Sequence, residues 1–153
     1  MKKKSMTATP VLETPPYRNH TLLIVDDDAL LRGALAFDFK RKGFCVIAVE
    51  SGKKALEVLK TTPVDLILAD LRMSNGDGGY LLTQLKKRKE AHPPLILLSG
   101  LLELNPEEYI HQGALAVFEK PFCRRKLLKL ILNTLEGSPC SEQRPQTQNQ
   151  VLA

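Results

Sequence analysis

Three aspartates stand in a row at Asp26, Asp27 and Asp28, directly after the apolar run at residues 22–25. Asp70 follows the run at 66–69, Ser99 follows 95–98, and Lys120, one residue past Glu119, follows 115–118. If the chain brings these residues together, the carboxylates repel. Two unit charges about 4 Å apart cost ~1 kcal/mol in water and ~4 kcal/mol at an effective dielectric near 20. A divalent cation removes that cost, and an all-oxygen site with few carboxylates suits Mg²⁺, which keeps several of its waters. Sites of this kind also hold phosphoryl groups. A lysine ammonium and a hydroxyl beside the cation supply charge neutralisation and positioning.

The elements that would position these residues are legible as alternating patterns. The apolar runs at 22–25, 45–49, 66–69, 95–98 and 115–118 are nearly continuous, as in strands buried on both faces. Helix-length segments separate them. Residues 29–42 carry Leu31, Leu35 and Phe39 and stop at Gly43. Residues 51–61 open on Ser51 as a cap, and 78–90 end in a run of cations that suits the negative end of a helix dipole. Residues 105–112 open on Asn105-Pro106, and 122–135 carry a leucine-rich stripe. The pattern is β-α five times over, which predicts an α/β fold: a doubly wound, parallel, five-stranded sheet of flavodoxin-like order 2-1-3-4-5. Ligands in such sheets bind beyond the carboxyl ends of the strands, at the switch point between strands one and three. That is where the acids, Ser99 and Lys120 fall.

Each residue has a plainer reading alone. Asp28 and Asp77 read as helix caps. Asp70 could merely start a loop, Ser99 cap a strand and Lys120 sit in solvent. The cluster vanishes only if all of these hold at once.

Composition bounds the rest. The 153 residues are 43% apolar, enough for one domain with a real core. Residues 1–18 and 138–153 are polar and proline-containing and are expected to be disordered tails around a body at 19–137. Residues 1–19 contribute +3 of the net charge of +5, so most of the basicity lies in a tail and no nucleic-acid surface is expected. The basic groups at 40–42, 86–89 and 124–126 read as solvated helix ends. Neither a membrane span nor a secretory leader is apparent, which predicts a soluble, cytoplasmic protein. Cys45, Cys123 and Cys140 form no disulfide framework or metal-ligand spacing, and His20, His92 and His111 are scattered.

The body resembles the receiver domains of two-component response regulators across residues 19–137. The likeness is carried by the strand ending in Asp26-Asp27-Asp28, the loop Asp70-Leu71-Arg72-Met73-Ser74-Asn75-Gly76-Asp77-Gly78, the strand ending in Ser99-Gly100, and Glu119-Lys120-Pro121-Phe122. The resemblance implies that Asp70 takes a phosphoryl group from a histidine kinase or phosphotransfer protein. Asp27, Asp70 and the Arg72 backbone carbonyl would bind Mg²⁺, with Asp26 in the same site through water. Ser99 and Lys120 would contact phosphoryl oxygens, and the Lys120-Pro121 peptide would be cis. By this resemblance the chain is a signalling phosphoacceptor that assists its own phosphoryl transfer and dephosphorylation, not an enzyme with a separate substrate.

Three departures from the family pattern stand out. Ser74 replaces a usual proline. In the switch region Val117 occupies a usually aromatic position, with Phe118 beside it at the position that faces the core. Arg72 and Leu101 occupy positions that tune dephosphorylation. Only about 16 polar residues follow Gly137, so the reading is of a stand-alone receiver that switches a protein–protein interaction or relays phosphate. Its downstream target is not specified by the sequence. The leucine-rich last helix admits a homodimer through the last strand–helix face. Two other functions compete: a pseudo-receiver that binds partners independently of phosphorylation, and a nucleic-acid binder acting through the lysine tail.

Overall fold

The structure is a computed structural model, and it describes residues 17–100, 105–136 and 150–152. The readings made for residues 1–16 and 137–149, for Leu101 and for Cys140 lie outside them. Along the chain run β1 (Thr21–Val25), α1 (Ala29–Arg41), β2 (Cys45–Val49), α2 (Gly52–Thr61), β3 (Leu66–Asp70), α3 (Gly78–Lys87), β4 (Leu95–Ser99), α4 (Pro106–His111), β5 (Ala116–Glu119), α5 (Arg124–Glu136) and β6 (Gln150–Leu152).

The first five strands are parallel and lie in the expected order 2-1-3-4-5. Strand side chains alternate between faces, and here both faces are apolar. Leu22, Ile24, Leu66, Leu68, Ile96, Leu98 and Phe118 pack on one side with Leu35 and Phe39 of α1 and Leu127, Ile131 and Leu135 of α5. Leu23, Val25, Ile67, Ala69, Leu95, Leu97 and Val117 pack on the other with Ala55 of α2 and Leu81, Leu82 and Leu85 of α3. This two-sided burial is why the runs read as continuous rather than alternating. Full burial of one such leucine contributes roughly 1.5–3 kcal/mol.

Four features differ from the sequence expectation. β2 lies at the edge, as the order 2-1-3-4-5 requires, but its Cys45 and Ala48 are exposed rather than buried on both faces. Asn105 precedes α4 in a left-handed conformation (φ 57°) and makes no side-chain cap. Tyr17, placed in the tail, stacks on Phe44 with ring centroids 5.0 Å apart and packs against the core. Finally, the sheet gains a sixth strand. Gln150–Leu152, within the stretch expected to be disordered, pair in parallel with β5. Val151 and Leu152 are apolar residues in that polar stretch, and without them β5 would be a bare edge.

The other caps form as read. Asp28 accepts from the amides of Leu30 and Leu31, Ser51 from Lys54, and Asp77 from Tyr80. No helix among the described residues is long and apolar enough to cross a membrane.

Candidate functional site

β1 and β3 are neighbours, with Val25 in register with Ala69. Their carboxyl ends therefore project Asp26, Asp27 and Asp70 to one point. Carboxylate oxygens of the three lie within 4.8 Å of one another. β4 and β5 deliver the other two groups. The Lys120 amide donates to the Ser99 carbonyl at 2.7 Å, which ties the ends of these strands together. The Lys120-Pro121 peptide is cis.

The three acids meet different surroundings. Asp70 is half-buried; its Oδ2 accepts from Lys120 Nζ at 2.9 Å and its Oδ1 from the Arg72 amide at 3.3 Å. Asp27 is exposed, and its Oδ2 accepts from the Ser74 amide at 3.2 Å and the Ser74 hydroxyl at 3.5 Å. Asp26 is 1% exposed. Its Oδ1 accepts from the Asp28 amide at 2.8 Å. Its Oδ2 is buried without a hydrogen-bond partner, 4.0 Å from Lys120 Nζ. Burial pushes the Asp26 carboxyl above its ordinary value and the neighbouring Asp70 charge adds to this, while the Asp28 amide and Lys120 pull it down.

An unpartnered, buried carboxylate oxygen is costly. Here it faces into a cluster of two further acids with a single ammonium. That donor set, hard oxygens with excess negative charge, fits a small divalent cation. Asp26, Asp27 and Asp70 are the residues that could hold one.

Ser99 is 3% exposed, and its hydroxyl donates to the Gly100 carbonyl at 3.1 Å. Beside the acids opens a cleft of about 610 Å³, lined by Asp27, Leu71, Arg72, Ser74, Asp77 and Tyr109. The loop that shapes it depends on glycine. A Cβ on Gly78 would stand 2.7 Å from the Asp70 carbonyl oxygen and 2.6 Å from a Leu97 methyl.

The structure thus brings together Asp26, Asp27, Asp70 and Lys120, with Ser99 at the adjoining strand end. Asp28 and Asp77 stand apart as caps. Val117 and Phe118 are both fully buried, on opposite faces of the sheet. Phe118 meets Phe122 edge to face at 6.2 Å.

Two supporting residues went unread in the sequence. Arg32 donates to the Asp26 carbonyl at 2.6 Å from one turn into α1. Ser74, noted in the sequence only as standing where a proline is usual, ties its loop to Asp27. An amide that proline lacks and a hydroxyl near an acidic pair were the available signals.

Residues 22–132 match the response regulator receiver domain family. The chain is 33% identical over 124 residues to the transcriptional regulatory protein GlrR of Escherichia coli, covering 80% of this chain and 28% of that protein. It is 36% identical over 102 residues to the DNA-binding transcriptional regulator NtrC of Klebsiella pneumoniae, covering 65% of this chain and 21% of that one. The chain therefore spans about a quarter of these relatives. Among solved structures, the receiver domain of a Francisella response regulator superposes with a TM-score of 0.72 at 28% identity, over 77% of this chain and 98% of that one.

Proposed function

The chain belongs to the response regulator receiver domain family, and we propose that Asp70 is its phosphoacceptor, loaded in a Mg²⁺-dependent reaction from a histidine kinase or phosphotransfer protein. The observation that carries this reading is the convergence of Asp26, Asp27 and Asp70, with Lys120 bonded to Asp70 and one Asp26 oxygen left bare.

Asp70 ends β3 with its carboxylate partly buried, beside the cleft lined by Asp27 and Arg72, from which an incoming phosphohistidine would approach it. The new P–O bond forms on Asp70 as the P–N bond to the donor imidazole breaks. Lys120 holds the other Asp70 oxygen and stands ready to pair with a phosphoryl oxygen as charge builds there. Ser99 has a hydroxyl that can turn from Gly100 to donate to a second phosphoryl oxygen. Asp26, Asp27 and the Arg72 carbonyl would hold Mg²⁺ together with Asp70. When bound, the ion neutralises the carboxylates and the phosphoryl charge. The same residues would serve when water later removes the phosphoryl group.

The output is a changed protein–protein interaction, or onward transfer of the phosphoryl group. Any aromatic swing on β5 is disfavoured by the local packing, since Val117 offers no ring and Phe118 is locked in the core. Incubation with a phosphorylated histidine domain tests the reading. Label should move to this chain in Mg²⁺ and stay on the donor in excess chelator; transfer that ignores the chelator contradicts the metal's role.

Val117 also favours a second reading, a partner-binding module indifferent to phosphorylation. In that case Asp70→Asn would leave partner affinity unchanged with and without phosphodonor.

A further inference from the structure

β5 would be the open edge of the sheet but for three residues. Ala116, Val117 and Phe118 stand in parallel register with Gln150, Val151 and Leu152, and β6 also lies against α4. The connection needs no crossing of the sheet. In a β-α-β unit the helix returns the chain to the end where the parallel strands begin. Glu136 ends α5, and β6 starts beside Ala116, the first residue of β5. The 13 intervening residues reach about 45 Å when extended, ample for the link.

We propose that the outer edge of β5 is a strand-docking site whose occupant is the chain's own residues 150–152, held there reversibly. Main-chain hydrogen bonds supply the attraction in such pairing. A three-residue strand makes few of them, so β6 protects the edge and still detaches. Its tether keeps it at an effective concentration on the order of millimolar. The strand it covers carries Val117 and leads within two residues of Phe118 to Lys120, the partner of Asp70. Docking at this edge is independent of the phosphoacceptor reading.

Amide hydrogen exchange at residues 116–118 tests the proposal. In the full chain, at a concentration chosen so that sedimentation gives a monomer, the amides on the outer edge should be protected. A chain lacking residues 150–153 should exchange there at least about tenfold faster, with the rest of the sheet unchanged. Val151→Pro, which keeps the length but breaks the pairing, should do the same. A synthetic peptide of residues 146–153 at millimolar concentration should slow exchange in the truncated chain. Equal exchange in full and shortened chains overturns the proposal, as does a peptide without effect. Protection seen only in a dimer would mean that the strand comes from a second copy, and overturns the self-docking.

Discussion

At the residue scale, the three carboxylates meet different surroundings. Asp70 is compensated by Lys120, Asp27 by Ser74 and solvent, and Asp26 is buried with one oxygen bare. Asp26 therefore holds its proton to higher pH in the folded chain than in the unfolded one. Over that window the folded state binds more protons, so the metal-free protein loses stability as pH rises from the ordinary value of 3.8 through the raised one. Asp26→Asn should flatten this part of the profile. In chelator at pH 8 it should stabilise the fold by on the order of 1 kcal/mol, through relief of carboxylate repulsion. Thermal unfolding across pH reads both effects, and a lower midpoint for the variant would contradict the account. Asp26, Asp27, Asp70, Ser99 and Lys120 were legible in the sequence because each follows an apolar run, and strand ends are where this topology converges. Arg32 and Ser74 were not. Their contacts depend on the path of a loop and the pitch of the first helical turn, which residue type does not encode.

At the element scale, the loop from Asp70 to Gly78 is held close to the sheet by the absence of a side chain. In Gly78→Ala the added methyl meets the Asp70 carbonyl and Leu97. Such overpacking costs roughly 1–3 kcal/mol and should lower the unfolding midpoint. It should also weaken Mg²⁺ binding by displacing Asp70, whereas a surface variant such as Lys87→Ala should alter neither. Ser51→Ala removes a helix cap and should cost about 1 kcal/mol without changing metal affinity. Chemical denaturation with and without Mg²⁺ separates the two classes, since only Gly78→Ala should lose part of the stabilisation that the ion gives. The strands and the caps at Asp28, Ser51 and Asp77 could be read from the sequence because local chemistry decides them. β2 could not be placed at an edge from its residues, since Cys45–Val49 is as apolar as a central strand; strand order put it there. β6 was missed because three residues in a polar stretch carry no periodic signal. Asn105 misled because its backbone is left-handed rather than in the extended conformation of a capping residue, and no side-chain cap forms.

At the scale of the whole molecule, metal binding at the three acids would be linked to folding, because they meet only in the folded chain. At a free Mg²⁺ concentration about 100 times its Kd, the fold should gain about 2.7 kcal/mol. The gain should be lost in Asp27→Asn and in Asp70→Asn. Calorimetric melting with increasing Mg²⁺ checks this, and an equal gain in the variants would place the ion elsewhere. The central claim concerns one oxygen on one residue. The measurement that tests it most directly is to load the chain with a small phosphodonor in Mg²⁺, trap the acyl phosphate by borohydride reduction and map the modified residue by peptide mass. The account predicts a single homoserine at position 70, absent in chelator and absent in Asp70→Asn. Modification at another carboxylate, or an unmodified chain under conditions that load a receiver control, would contradict it.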